Sequence, residues 1–167
     1  MLLVYTGEGK GKSCACVGQA LRALGQGLRV AFAQFLKRPG QAGEQRMLAD
    51  LLGENFLAGG LGFFREESER PVHRRAVLTT LEWALARCGA LDMLVLDEAV
   101  YALDAALLAA TELESAMDAC ALADCHLVLS GRNAPGWLVE RADLVTEMRE
   151  VKHHYRSGVP ARPGIEF

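Results

Sequence analysis

Short apolar runs alternate with longer segments of helical periodicity along most of this chain. The apolar runs predict β-strands, at residues 2–5, 28–36, 55–57, 93–97, 126–130 and 144–148. The segments of helical periodicity predict α-helices, at residues 12–26, 43–52, 69–87, 111–123 and 135–141. Strands that are apolar throughout and alternate with helices predict an α/β fold, in which a parallel sheet is covered by helices on both faces.

Composition shows that the chain can fill a hydrophobic core, and it excludes several classes of protein. The chain has 167 residues, of which 51% are hydrophobic and 23% are charged, and its net charge is −3. Length and composition predict one domain over residues 1–167 and exclude disordered and low-complexity classes. We expect no nucleic-acid partner, because a strongly basic footprint is absent. Recognition of an anion therefore has to be local, through a few cations and backbone N–H groups.

The cysteines and the N-terminus bear on the compartment. The chain has five cysteines, an odd number, and none of them shows the two-residue spacing of zinc ribbons or redox pairs. They are Cys14, Cys16, Cys88, Cys120 and Cys125. We expect free, mostly buried thiols in a cytoplasmic protein. Residues 1–5 lack the basic flank of a signal peptide, and no apolar run approaches the ~18 residues of a membrane span, so no membrane partner is expected.

The clearest chemical motif follows the first predicted strand and opens the first predicted helix. It consists of Thr6, Gly7, Glu8, Gly9, Lys10, Gly11, Lys12 and Ser13. Glycines bring backbone N–H groups close to phosphate oxygens, and the start of a helix favours an anion. Lys12 is predicted to contact the phosphates, and Ser13 to bind Mg²⁺, or Mn²⁺ in its place. A glycine-rich turn without a ligand is the alternative.

This P-loop is a variant in one respect. The first glycine of the usual spacing falls at position 6, where the chain has Thr6, and the glycine stands at position 7 instead. The orientation of a nucleotide in the loop is therefore open.

Two carboxylates follow the fourth predicted strand. The apolar run 93–96 leads into Asp97 and Glu98. A carboxylate at such a strand end lies beside a P-loop and reaches the metal directly or through water. Asp97 and Glu98 are therefore predicted metal ligands together with Ser13. In the alternatives, Asp97 caps the next helix, or Glu98 acts as a general base for hydrolysis.

Taken in order along the chain, these motifs and several further segments resemble the ATP:corrinoid adenosyltransferase family. The P-loop matches the pattern T-G-x-G-K-G-K-[ST] of that family. The other matching segments are residues 34–37, 43–44, 95–98 with Tyr101, 130–135, 142–148, 151–153 and 164–167. Together they span nearly the whole chain, and the Gly-Arg loop and the C-terminal segments are specific to the family.

The resemblance implies a P-loop NTPase-like three-layer fold with a mostly parallel central sheet. It implies transfer of the 5′-deoxyadenosyl group of ATP to a cobalt(I) corrinoid, either cob(I)yrinic acid a,c-diamide or cob(I)alamin, with release of triphosphate. It further implies Mg²⁺, a homodimer, and an electron donor such as a flavoprotein. Because cobalt(I) is itself the nucleophile, the protein aligns the 5′ carbon and stabilises the departing triphosphate. Lys12 and Arg132 are the predicted catalytic cations, and Lys37 is a predicted nucleotide-site residue.

The glycine-rich segment 59–65 is predicted to face the corrinoid. Apolar side chains beneath the ring exclude the lower axial ligand of cobalt, which eases reduction to cobalt(I). Phe63 matches a family phenylalanine with this role, and Phe64 stands beside it. The chain departs from some relatives at Arg65, where they have tryptophan, and in having only five residues before the P-loop motif. In the alternative, Phe63 and Phe64 form a small satellite core.

Two other functions stay open on the sequence. One is a P-loop hydrolase or kinase that acts at the γ-phosphate. The other is a binding module that holds ATP and a corrinoid without turnover. The three functions differ in their products. An adenosyltransferase releases triphosphate, a hydrolase or kinase yields inorganic phosphate or a phosphorylated acceptor, and a binding module forms no product.

Overall fold

The computed structural model describes residues 1–166 and contains one six-stranded sheet. The strands are β1 (Leu2–Thr6), β2 (Val30–Gln34), β3 (Phe56–Ala58), β4 (Met93–Asp97), β5 (His126–Ser130) and β6 (Leu144–Glu147). They lie in the order β3-β2-β4-β5-β1-β6, and each pairing is parallel. The predicted α/β class is confirmed. Phe167, the last residue of the family-like C-terminal segment, lies outside the described residues.

Helices connect consecutive strands of the sheet. They are α1 (Lys12–Gly25), α2 (Glu44–Leu52), α3 (Arg70–Cys88), α4 (Ala99–Asp104), α5 (Ala110–Leu122) and α6 (Gly136–Arg141). The predicted helices are confirmed to within one or two residues at their ends. Only α4 is missing from the sequence-based prediction. It has six residues, begins directly after the two carboxylates and has no side-chain cap, so it lacks the usual start signals.

Alternating strand residues divide the core between the two faces of the sheet. Phe32 and Val95 pack in the same cluster as residues of α1 and α2, whereas Ala31 and Leu94 pack in a second cluster with residues of α3 and α5. This alternation follows from the two-residue period of a strand. The result is a layer of helices on each face, and β2 and β4 are buried along their whole length.

The edge strand β6 departs from the expectation that the strands are buried on both faces. All four of its residues are exposed, because only β1 pairs with it.

The cysteines agree with the expectation of free, mostly buried thiols. None forms a disulfide within residues 1–166, and only Cys14 is exposed. Among residues 1–166, none of the helices combines the length and the hydrophobicity that a membrane span requires.

Candidate functional site

The phosphate loop lies at the carboxyl end of β1 and leads directly into α1. Gly7 and Gly11 have φ angles of 95° and 117°, a left-handed conformation that favours glycine. The ammonium of Lys12 folds back over the loop and donates to the carbonyl oxygens of Gly7 (2.6 Å) and Gly9 (2.7 Å). Burial lowers the pKa of Lys12, and Arg132 lowers it further. The charges of Lys12 and Arg132 therefore lie close to each other at the phosphate loop.

The displaced glycine has a structural explanation. Thr6 is still part of β1: it is buried, its carbonyl accepts from the N–H of Met148 (2.8 Å), and its hydroxyl accepts from the N–H of Ala134 (3.2 Å). The chain turns only at Gly7, where a Cβ atom would lie 2.5 Å from the carbonyl oxygen of Met148. Glycine is therefore required one position later than usual.

The segment after β6 closes against this loop. The N–H of Gly9 donates to the carbonyl oxygen of Met148 (2.7 Å), and a Cβ atom on Gly9 would lie 2.8 Å from that oxygen. Further along, Lys10 donates to the carbonyl oxygen of Ile165 and pairs with Glu166 at 3.7 Å. The family-like C-terminal residues thus contact the loop itself, and Lys10 is directed to them.

Asp97 is the buried centre of the site. Its Oδ1 accepts from the hydroxyls of Ser13 (3.0 Å) and Ser130 (2.7 Å). Its Oδ2 accepts from Lys37 (2.7 Å) and from the side-chain amide of Gln34 (3.2 Å). The structure therefore brings Ser13 and Asp97 together from α1 and β4, although β5 separates their strands in the sheet.

Lys37 contacts two of the three predicted metal ligands, Ser13 and Asp97. Its Nζ lies 2.8 Å from the Ser13 hydroxyl as well as 2.7 Å from Asp97, and it pairs with Glu44 at 3.4 Å. Burial acts to lower the pKa of Lys37, but the charges of Asp97, Glu98 and Glu44 outweigh it and raise that pKa. The side chain of Lys37 is only 17% exposed, and its role in the nucleotide site stays a prediction.

A pair of glutamines is hydrogen-bonded to the carboxylate partners of Lys37, and the sequence does not predict this pair. Gln45 donates to the side-chain oxygen of Gln34 (2.8 Å), and Gln34 donates to Glu44 (3.1 Å) as well as to Asp97. Both glutamines are buried. Gln34 and Glu44 lie in segments that match the family, but Gln45 had no signal other than its place beside Glu44.

Glu98 lies next to this cluster in a left-handed backbone conformation, with φ of 67°. Its N–H donates to Ser130 (2.8 Å), while its Oε2 is buried without a hydrogen-bond partner among residues 1–166. Burial raises the pKa of Glu98 to about 7, Lys37 acts against the shift, and Asp97 adds to it. A buried carboxylate oxygen with no partner is suited to a hard cation such as Mg²⁺.

We expect Glu98→Gln to stabilise the chain increasingly as pH rises from about 5 to 8. The folded-state pKa of Glu98 lies above its ordinary value of 4.5, so the folded state binds the proton more tightly than the unfolded state. The free energy of unfolding of the wild type therefore falls as pH rises through this range. Glutamine does not titrate, so the variant does not show this fall. Thermal unfolding of both proteins, without nucleotide or metal, measures the difference. A difference in Tm that stays constant with pH would contradict this assignment.

Arg132 follows β5 and lies beside the phosphate loop. Its Nη1 is 3.1 Å from a carboxylate oxygen of Glu8, and both side chains are more than half exposed. An exposed pair of this kind adds little stability. Arg132 can therefore exchange Glu8 for a phosphate at small cost, and its predicted role on the triphosphate stays a prediction.

The two phenylalanines of the segment 59–65 differ in their surroundings. Phe64 packs edge-on against His73, with ring centroids 5.7 Å apart, and lies under the guanidinium of Arg70. Phe63 is 57% exposed. Phe64 also packs against the core cluster that contains residues of α3 and α5, so the two rings do not form a separate satellite core, and Phe63 projects into solvent. Backbone hydrogen bonds tie this segment to residues 34–37, so it lies beside the strand end that carries Lys37.

The fold and the site define a P-loop nucleotide-binding protein. A glycine-rich loop between a strand and a helix leads into Lys12 and Ser13, and a buried Asp97 ends another strand of the same parallel sheet. The solved flagellar accessory protein FlaH from Methanocaldococcus jannaschii has the same kind of fold, with a TM-score of 0.55 and 12% sequence identity. The alignment covers 87% of this chain and 69% of FlaH.

More specifically, the family model for ATP:corrinoid adenosyltransferase BtuR/CobO/CobP matches residues 1–167, and the chain belongs to this family. A corrinoid adenosyltransferase from Sinorhizobium sp is 35% identical over 173 residues, covering all of this chain and 80% of that protein. The corrinoid adenosyltransferase CobA of Salmonella typhimurium is 33% identical over 169 residues, covering all of this chain and 85% of CobA. The resemblance noted in the sequence is confirmed.

Proposed function

We propose that this chain transfers the 5′-deoxyadenosyl group of ATP to the cobalt(I) of a corrinoid and releases triphosphate. The acceptor is cob(I)yrinic acid a,c-diamide or cob(I)alamin, and the reaction serves adenosylcobalamin biosynthesis or salvage. The observation that carries this proposal is the match of the whole chain to the ATP:corrinoid adenosyltransferase family.

The reaction does not require a nucleophile from the protein. Cobalt(I) supplies the electron pair for the new bond to C5′, and the C5′–O bond breaks with its electrons on the triphosphate. The chain therefore has to hold the triphosphate and stabilise the charge that develops on it. Lys12 and the N–H groups of the loop are suited to this, and Arg132 stands 3.1 Å from Glu8 at the edge of the same loop.

The oxygen atoms at the site fit Mg²⁺, or Mn²⁺ in its place. Ser13 offers a hydroxyl, Asp97 a carboxylate, and Glu98 a buried carboxylate oxygen without a hydrogen-bond partner among the described residues. Hard cations of this size prefer such ligands and are completed by phosphate oxygens. When bound, the cation neutralises charge on the triphosphate.

Phe63 is proposed to lie beneath the corrin ring. We expect Phe63→Ala to slow adenosylation that starts from cobalt(II), and chemically reduced cobalt(I) to restore much of the rate, because Phe63 excludes the lower ligand rather than binding ATP. Because the side chain is exposed, Tm should change little. Rates from both starting states measure the effect, and Phe64→Ala is the matched control for packing. Equal loss from cobalt(II) and cobalt(I) would contradict the role.

The partners implied by the family resemblance belong to the same proposal. A homodimer and an electron donor such as a flavoprotein stay predictions, as does the cytoplasmic location expected from the cysteines.

One assay tests the proposed function against its rivals. The chain is mixed with Mg-ATP and a chemically reduced corrinoid, and the corrin absorption spectrum and the phosphate products are followed together. We expect spectral conversion to the adenosylated corrinoid with one triphosphate released per turnover. Inorganic phosphate without spectral conversion would indicate a hydrolase, and tight binding without any product would indicate a binding module.

A further inference from the structure

We propose that Lys37 is a built-in cation that holds Asp97 and Ser13 until a divalent cation arrives with the nucleotide, so that the ammonium and the metal compete for these two side chains. The proposal rests on one part of the proposed function, the binding of ATP together with a divalent cation. Its basis is the position of Nζ, 2.7 Å from Asp97 Oδ2 and 2.8 Å from the Ser13 hydroxyl oxygen.

The competition follows from the bonding capacity of Ser13. A hydroxyl oxygen has one donor and two acceptor positions. The Ser13 hydroxyl donates to Asp97 Oδ1 and accepts from Lys37, so its oxygen is already in contact with a cation. A metal ion bound to the same oxygen would lie within a few ångströms of the ammonium, and two cations at that distance repel strongly. Lys37 therefore has to withdraw when the metal binds.

The structure also provides a second partner for the displaced ammonium. Glu44, the first residue of α2, lies 3.4 Å from Nζ of Lys37. Gln34 donates to Glu44, and Gln45 donates to Gln34, so this carboxylate is held in place by a buried network. Lys37 can release Asp97 and remain paired and charged.

Two simpler roles for Lys37 make different predictions. A lysine that only contacts phosphate strengthens nucleotide binding by the same factor with and without metal. A lysine that only stabilises the fold also changes both affinities by the same factor, because it changes the fraction of the protein that is folded. A competing lysine acts differently, because it reduces the gain in ATP affinity that the metal provides. The diagnostic quantity is therefore the ratio of the Kd for ATP in EDTA to the Kd in Mg²⁺, which is a linkage between two ligands.

The experiment measures both Kd values with a fluorescent ATP analogue and the full chain, without corrinoid. The ratio should rise by about tenfold in Lys37→Gln and Lys37→Met, the fold-change that corresponds to one charge-assisted hydrogen bond. Arg46→Gln removes an exposed positive charge from α2 and is the matched control, with an unchanged ratio. Glu44→Gln removes the second partner of Lys37, so its ratio should fall below that of the wild type.

A ratio that rises in the Lys37 variants and falls in Glu44→Gln supports the proposal, because damage to the fold does not shift the ratio in opposite directions. A ratio in Lys37→Gln that equals or falls below the wild-type ratio overturns it. If the lysine variants do not fold, Glu44→Gln decides alone, and an unchanged or higher ratio there overturns the proposal. A wild-type chain that binds the ATP analogue but forms no adenosylated corrinoid would defeat the proposed function and leave this inference standing. A wild-type chain that binds no ATP defeats both.

Discussion

Lys12→Ala should lower the rate of adenosyl transfer by about 10²- to 10³-fold, the loss typical of removing one preorganised donor from a developing anion. In the structure, Nζ of Lys12 is held within the phosphate loop by the carbonyl oxygens of Gly7 and Gly9. The ammonium of Lys12 is partly buried, which lowers its pKa and strengthens the action of its charge on a phosphate. The side chain belongs to neither core cluster, so the variant should remain folded.

Lys10→Ala is the matched control for this prediction. It removes a positive charge from the same loop, but Lys10 is directed to Ile165 and Glu166 in the C-terminal segment. We expect a much smaller loss of rate in Lys10→Ala than in Lys12→Ala. The comparison requires initial rates at saturating Mg-ATP and reduced corrinoid, with circular dichroism to show that both variants are folded. Wild-type transfer by Lys12→Ala would exclude the proposed phosphate role.

Asp97→Ala is expected to reduce the free energy of unfolding by about 3 to 5 kcal/mol and to abolish transfer. The carboxylate is fully buried and accepts from Ser13, Ser130, Lys37 and Gln34. Its removal leaves the largely buried ammonium of Lys37 without its nearest negative partner, and it leaves hydroxyl and amide donors unsatisfied. Denaturant unfolding without ligands measures this loss separately from activity.

Asp118→Ala is the control for the loss of an aspartate from an ion pair. Asp118 pairs with Arg141, but its side chain is 68% exposed, so water replaces the lost partner. We expect little change in stability or in transfer. If Asp97→Ala were as stable as Asp118→Ala, the buried charge cluster would not be a structural centre of this fold.

The phosphate loop is predictable from the sequence because its signal is local. The order strand, glycine-rich turn, Lys12 and Ser13, helix is contained in one short stretch, and the same holds for the apolar run that ends in Asp97. Side-chain periodicity and helix start and stop signals likewise predict five of the six helices. The remaining helix, α4, has six residues and no side-chain cap, and the sequence does not predict it.

The position of the glycine in the loop shows where local reasoning ends. The sequence established that Thr6 stands where a glycine is usual, but the reason lies in residues about 140 positions later. Thr6 pairs with Glu147 in the β1–β6 register, and Met148 then crosses close to Gly7. A contact of this kind depends on which strands are neighbours, and sequence spacing carries little information about that.

What the sequence determined by itself is the class of fold, the family and the identity of the phosphate-loop and strand-end residues, because each depends on motifs contiguous in the chain. Only the tertiary structure decided that Lys37 stands between Ser13 and Asp97, that Gln45 and Gln34 support it, and that Phe63 is exposed while Phe64 is packed. These are relations between side chains on different elements. They arise when the parallel sheet brings the carboxyl ends of β1, β2 and β4 to one edge, where charges far apart in sequence come within hydrogen-bond distance.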